Sequence, residues 1–498
     1  MRRISLSLVL LLACSLVLAA CGSKSSSKKS SDPASGGSSS IPGAEMAPAS
    51  AIAFVSINTD STGAQWQQVK TLIAGIPSAQ KALDKAISSS GVTLADLEQA
   101  LGKTTNLVEL GTTAKPLDVV LTNTADAAKL KGILAASKSK TKSITVEIGS
   151  WLAIADSQAA LDQFQSAAAA GKLSDDSGYK QALADLPADA LVRGYLTGSA
   201  ITSTVSSSGL GNASTSKMLK SAAAKNGLEW GALSASAVNE GLSISGVFKT
   251  KAGHANVANT SSTLIGELPG TTALAVDLNG SSVGLDKAVL ALRKNAKYGK
   301  QVPQIEAALG IKLEDLAALL GSEMSIYATN SGVGLMIKAP NPAQSKAMLD
   351  KIVKLISAQL SGASKSVSIG GVTATELTLG KTKIYYGVKG GSLFLVTDAN
   401  TLPGSGISSD PVYAAAAKAL QVPEANAGVL FVDFAKIAQL SKSGNSLVKS
   451  VGKLAGSSTT KTSTSPSTSF DPQGISSLFG YVVGNGDKVE LKALLSAK

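Results

Sequence analysis

Leu349, Ile352, Val353, Ile356 and Leu360 recur at the spacing of one helical face, while Lys346, Asp350, Lys351 and Lys354 fall on the wet side. Asn341-Pro342 supplies the start, because a capping side chain followed by a proline that needs no amide partner opens a helix well. Leu130, Ile133 and Leu134 mark a shorter helix of the same kind. The period then changes. Thr382, Ile384, Tyr386 and Val388 alternate with Lys381, Lys383, Tyr385 and Gly387, as in a half-buried strand, and Gly390-Gly391 turns it into a second strand from Leu393 to Val396. Asn485-Gly486 marks another hairpin turn, after which Val489, Leu491 and Ala493 alternate with Lys488, Glu490 and Lys492. Hairpins pair strands antiparallel, so the expected fold class is α+β rather than a doubly wound parallel sheet.

The pattern occurs twice. Gly91-Val-Thr-Leu-Ala-Asp96-Leu-Glu-Gln-Ala-Leu-Gly102 aligns without gaps with Gly310-Ile-Lys-Leu-Glu-Asp315-Leu-Ala-Ala-Leu-Leu-Gly321. Ala51 to Asn58 answers Thr272 to Asn279, Ser150 to Asp156 answers Ser392 to Asp398, and a tyrosine before an Ala-rich helix recurs as Tyr179 and Tyr413. The expectation is two tandem related repeats, each an antiparallel β-sheet packed with helices. Each reads as strand, helices, two strands, helix, strand hairpin, helices, strand and closing hairpin, and its first part is compatible with a ferredoxin-like β-α-β-β-α-β unit.

The N-terminus departs from this rhythm. Met1-Arg2-Arg3 precedes an apolar run from Ile4 to Val17, short for a membrane span but right for a secretory signal, and Leu18-Ala19-Ala20-Cys21 comes next. This resembles a bacterial lipoprotein signal, which implies acylation of Cys21 and an extracytoplasmic protein anchored to a membrane. From Gly22 to Glu45 the chain is Ser- and Gly-rich with almost nothing to bury, a disordered tether spanning about 25 to 30 Å. The expected organisation is a signal at 1–20, a tether at 21–46, repeat domains at 47–252 and 268–498 joined by a linker at 253–267, and a mobile Ser/Thr loop at 456–469.

Composition narrows the partners. The net charge is +12 and almost entirely lysine, with arginine only at Arg2, Arg3, Arg193 and Arg293, and aromatics at 4%. Nucleic-acid recognition favours arginine forks and stacking aromatics, so no nucleic-acid partner is expected. A lysine surface outside the membrane suits anionic lipid headgroups or cell-wall polymers. Once the signal with Cys14 is removed, Cys21 is the one cysteine left, which excludes an internal disulfide and a thiolate metal cluster.

Pro48 to Pro77, together with Gly178 to Gly198, resembles the family known as domain of unknown function 3352, found in bacterial exported or membrane-anchored proteins. The resemblance implies a broad α+β architecture and carries no catalytic residue to transfer. The second repeat departs from it at Gln421-Val-Pro-Glu-Ala-Asn, where the first has Asp185-Leu-Pro-Ala-Asp.

No reaction is legible. The single histidine, His254, sits in the junction between repeats without companions for a triad or a metal site. Gly102-Lys103-Thr104 and Gly380-Lys381-Thr382 end like a phosphate-binding loop, but Leu97 and Thr375 stand where its first glycine belongs. Asp96 and Asp315 read as first-turn helix acids, with Thr93 to Asp96 as a capping box, and Asp156 and Asp398 read as caps. The expectation is a non-enzymatic, cofactor-free binding or structural protein. The alternatives are a carrier of lipid or another apolar ligand, which an enclosed apolar cavity favours, and an envelope hydrolase, which facing carboxylates in a cleft favour.

Overall fold

The computed structural model describes residues 40–74, 76, 80–81, 84, 93–112, 115–136, 143–207, 227–252, 257–279, 289–295, 299–320, 323–359, 362–380, 382–404, 406–442 and 474–497. Described residues within Met1–Ala255, Gln473–Ile475 and Gly486–Lys498 cluster into one compact unit, and those within Asn256–Pro472 and Ser476–Asn485 into another.

The first unit runs β1 (Ala53–Asn58), α1 (Ala64–Ala74), α2 (Leu94–Ala100), β2 (Thr104–Thr112), β3 (Lys115–Thr122), α3 (Ala127–Ala136), β4 (Ile144–Ile148), β5 (Trp151–Ala155), α4 (Gln158–Ala170), α5 (Ser177–Ala184), β6 (Val192–Thr197), α6 (Gly198–Ser207), β7 (Leu228–Val238) and β8 (Gly241–Thr250). The second runs β9 (Thr260–Ser261), β10 (Thr272–Leu278), α7 (Val302–Leu309), α8 (Leu313–Leu320), β11 (Met324–Thr329), β12 (Val333–Lys338), α9 (Pro342–Gln359), β13 (Ala363–Ile369), β14 (Val372–Leu379), β15 (Thr382–Lys389), β16 (Ser392–Val396), α10 (Pro411–Leu420), β17 (Ala425–Asn426), β18 (Gly428–Asp433), α11 (Phe434–Lys442) and β19 (Ile475–Asn485). A last strand, β20 (Lys488–Ala497), pairs along β8 in the first unit, although the sequence placed it in the second repeat.

All these pairings are antiparallel. The first sheet has the order β4-β5-β3-β2-β1-β6-β7-β8-β20. The second has β13-β14-β15-β16-β12-β11-β10-β18-β19. With β13 and β14 set aside, strand neighbours keep the same order through β7 and β19. The ferredoxin-like expectation fails: that unit needs a crossover between parallel neighbours, whereas β1 lies antiparallel beside β2 and β2 beside β3.

Period-2 strands put apolar residues on both faces, so helices pack against both faces of the first sheet. On the first, Phe54, Val108, Leu121 and Ala153 pack with Phe164 of α4 and Tyr179 of α5, while Val120, Leu152 and Ile154 pack with Ala100 of α2 and Leu130 of α3. Ile41, Ala44 and Ala47 are buried in the first of these clusters, which corrects the tether boundary: the segment from Ile41 packs on the core, and Asn106 Nδ2 donates to Pro42 O at 2.9 Å. Recurrent Tyr179 and Tyr413 occupy matching places. Each comes after an aspartate whose carboxylate caps its helix, Asp176 at 2.7 Å from Tyr179 N and Asp410 at 3.0 Å from Tyr413 N. Each ring then meets core aromatics edge-on, Tyr179 with Phe54 and Tyr195, Tyr413 with Phe431 and Phe479.

The hairpin turns at Gly149-Ser150 and Gly390-Gly391 show that the textual match of β5 to β16 is one residue out of step. By sheet position, Leu152 opposite Thr122 answers Leu393 opposite Ile337. The caps move with it: Ser157, not Asp156, caps α4, and Asp398 caps the short helix after β16. The β13–β14 hairpin, turning at Gly370-Gly371 with φ of +54° and +73°, was not read from the sequence.

Candidate functional site: an apolar gap between two helices

Helices α8 and α9 lie over β12 and β16, and the space between them is a cavity of about 180 Å³. Leu316 lines it from α8, and Met348, Leu349 and Ile352 from α9. Leu335 and Ile337 of β12, directly opposite Leu395 and Leu393 of β16, make the floor, with Phe394 beside them. Every lining residue is apolar. Water in such a space gives up hydrogen bonds without replacement, and apolar cavities of about 150 Å³ stay dry and accept a benzene-sized hydrocarbon.

The helices are tied elsewhere. Arg293 grips Glu306 of α7 and Glu314 of α8, with Nη2 at 2.6 Å from each carboxylate, and Leu313 N donates to Glu306 Oε1 at 2.8 Å. These bonds hold both carboxyls below their ordinary range, Glu306 chiefly through the Leu313 amide and Glu314, chiefly through Arg293, down to about 2. Helix α9 reaches the α7–α8 turn through Lys351 Nζ, 3.1 Å from Gly310 O.

By sheet position the matching place in the first unit lies between α2 and α3, and there Ala100, Val120, Leu130, Leu152 and Ile154 form a buried cluster. An ion pair spans the two helices. Lys129 Nζ of α3 lies 3.2 Å from Asp96 Oδ1 and also donates to Gln99 Oε1 of α2. Asp96 closes the expected capping box, its amide donating to Thr93 Oγ1 at 3.1 Å, and the Thr93 hydroxyl, with Lys129 second, lowers its pKa. The duplicated acids are thus helix-start residues. Asp315 is exposed, and counting from the caps Asp126 and Asn341 the residue matching Lys129 is Gln344.

A hydrolase would need facing carboxylates; Asp410 and Asp433 share Lys436 Nζ at 2.7 and 3.6 Å, and Asp277 and Glu323 are buried beneath residues 262–264. Asp277 of β10 is 0% exposed and accepts from Ser262 Oγ at 2.6 Å and from Ser325 Oγ. Burial, with a contribution from the charge of Glu323, pushes its pKa up to about 6. Glu323 accepts from Thr263 and Leu264 amides and from Thr263 Oγ1 at 2.6 Å, with Lys338 Nζ at 3.7 Å. Burial first and Glu323 second raise the Glu267 pKa. Asp277 and Glu323 both accept from residues 262–264, which fastens that segment to the sheet.

Cys21, His254 and the 456–469 loop lie outside the described residues. Among the described residues no group of three or more His, Cys, Asp or Glu is placed to hold a metal ion, and no helix is long and apolar enough to cross a membrane. Gly102 follows the Leu101 C-cap of α2 and accepts from Thr59 Oγ1 at 2.5 Å, and Gly380 stands in the β14–β15 turn at φ +60°. The gap residues were not foreseen as a site, because their helical and strand periods are those of any core.

The chain belongs to the family described as "Protein of unknown function (DUF3352)", which matches residues 122–469. The match includes Gly178 to Gly198 and much of the second unit, and leaves Pro48 to Pro77 outside. No curated protein matches. A solved structure titled "Structure of crystal form III of TP0453" is similar at 10% identity and a TM-score of 0.22, over 47% of this chain and 80% of that one.

Proposed function

We propose that this protein is a non-catalytic, extracytoplasmic binding protein, anchored through lipidated Cys21, that holds a hydrocarbon moiety in the gap between α8 and α9. The two units are tandem copies of one ancestral domain, and the second has become the binding unit. The observation that carries this reading is the 180 Å³ gap lined by nine apolar side chains. It favours the carrier reading over a purely structural one, because an apolar opening left unfilled forfeits packing contacts at its walls. Lysine-mediated contact with anionic headgroups or wall polymers is a secondary role of the surface.

The test is binding of a neutral dansyl-alkyl amide to the purified chain, monitored by fluorescence at low and physiological salt. Saturable one-to-one binding, unaffected by salt and lost on filling the gap with Leu316→Trp or Leu349→Phe, supports the reading. Binding that disappears with salt assigns the interaction to the lysines instead. Anchoring is tested separately: Cys21→Ser should release the protein from membranes and abolish incorporation of labelled fatty acid.

A further inference from the structure

Resting on the gap as a hydrocarbon site, we infer that its ligand is a one-chain lipid whose single unbranched chain runs out of the gap and across the neighbouring strands β11 and β10. The register carries the argument. Leu395 of β16 lies opposite Leu335 of β12, Leu335 opposite Ile326 of β11, and Ile326 opposite Val276 of β10. One step along, Leu393, Ile337, Met324 and Leu278 form a second row on the same face. The first members of both rows floor the gap; beyond it Met324 and Val276 are half-buried and Ile326 and Leu278 are exposed. Ile326 is 43% exposed and Leu278 39%, two of the most exposed large apolar side chains among the described residues.

An apolar floor that starts in a cavity and continues along the same two rows to exposed Ile326 and Leu278 fits a ligand longer than the cavity. The rows cross three strand spacings, about 14 Å in all, the extended length of about a dozen carbons. The gap holds roughly a six-carbon fragment. The track is two side chains wide and enters between two helices, which suits one chain rather than a pair. Two cations of this unit are already engaged, Lys338 with Thr263 and Glu323 and Arg293 with Glu306 and Glu314. Selection therefore comes from chain length and not from a charged head.

The experiment titrates the full chain with a series of n-alkyl maltosides below their micellar concentrations, by displacement of the dansyl probe. Affinity should rise about fourfold per added methylene, the value for one buried CH₂, up to about twelve carbons and then level off. Ile326→Ser and Leu278→Ser, both at exposed positions that leave the fold intact, should each weaken dodecyl maltoside about fivefold and leave hexyl maltoside unchanged. A plateau at about six carbons, with both serine variants matching the wild type at every length, would overturn the outer track while leaving the gap as the site. Tighter binding of a two-chain lipid at equal chain length would overturn the single-chain assignment. Absence of saturable binding at every length would overturn the hydrocarbon site itself.

Discussion

The α2–α3 pair over the first sheet and the α8–α9 pair over the second start from the same helical signature and end differently. In the first, Lys129 bonds Asp96 and Gln99 across the helices, and Leu152 beneath them is 0% exposed. In the second, Gln344 replaces the lysine, α8 turns its charge toward Arg293, and half-buried Leu316, Leu335, Leu349 and Leu395 face a gap beside Leu393, which is 3% exposed. An exposed ion pair contributes little to stability, so the difference lies less in energy than in geometry. A latch fixes where two helices meet, and without it the same apolar faces leave room between them.

The largest expected effect sharpens that contrast. Leu152→Ala should cost about 3 to 4 kcal/mol, because it empties a buried cluster, whereas Leu395→Ala on the gap floor should cost about 1 to 2 kcal/mol. Urea unfolding measures both. All three tryptophans, Trp66, Trp151 and Trp230, lie in the first unit, so their fluorescence reports that unit while amide exchange reports the second. Equal losses at the two leucines would remove the distinction between filled and open.

Next comes acidity. Asp277 has its pKa raised from 3.8 to about 6, so between those values the folded protein keeps a proton that the unfolded chain has lost. Stability therefore falls as pH rises through that window, by on the order of 3 kcal/mol, and the loss is complete near neutrality. Asp96, Glu306 and Glu314 have lowered pKa values and act in the opposite sense, losing their contribution only as pH falls below about 4. Amide exchange, corrected for its intrinsic pH dependence, should show the second unit more stable at about pH 5 than at about pH 7 and the first unit flat. Asp277→Asn should remove most of the difference and leave the share of Glu267, whose carboxyl is also raised by burial.

A smaller effect tests the sheet beneath. Where the first unit pairs Val108 with Val119, the second pairs Tyr327 with Gly334, and a Cβ on Gly334 would lie 2.2 Å from Tyr327 Cζ. Gly334→Val should cost about 2 kcal/mol by overpacking, and adding Tyr327→Val should recover part of it despite the lost bond from Tyr327 Oη to Thr401 O at 2.7 Å. Additive losses in a thermal-melt double-mutant cycle would show that the two sheets do not interchange these pairs. Smallest in stability, and aimed most directly at the latch, is its transplant. Ala318→Gln with Gln344→Lys should leave melting unchanged and weaken the dansyl probe severalfold, and undiminished binding would show that the ion pair does not govern closure.

Much of this architecture was legible because it is local. The α9 helix and the β15–β16 hairpin fall where the 3.6- and 2-residue periods put them, and Thr93 and Asp410 cap the helices that their side chains can reach. The gap was illegible for the converse reason. Leu316, Leu335, Met348 and Leu395 are apolar in the same periods whether a neighbour fills the space beside them or not. The readable trace was a difference between two aligned segments, lysine in one and glutamine in the other. Residues 41–46 failed differently: small residues flanked by serine look like linker, yet Ile41, Ala44 and Ala47 occupy a core whose other members lie far along the chain.

Strand β20 adds a matter of timing. The bond from Thr250 Oγ1 to Asp487 O joins residues 237 positions apart, and the whole of the second unit's sequence lies between them. Until that distant strand arrives, β8 offers a row of unpaired amides and carbonyls from Gly241 to Thr250, an open template for any extended segment nearby. Such long-range closure slows folding more than it weakens the final state. At high concentration the strand that arrives first can belong to another molecule, which makes exchange of β20 between copies the natural misassembly of this chain.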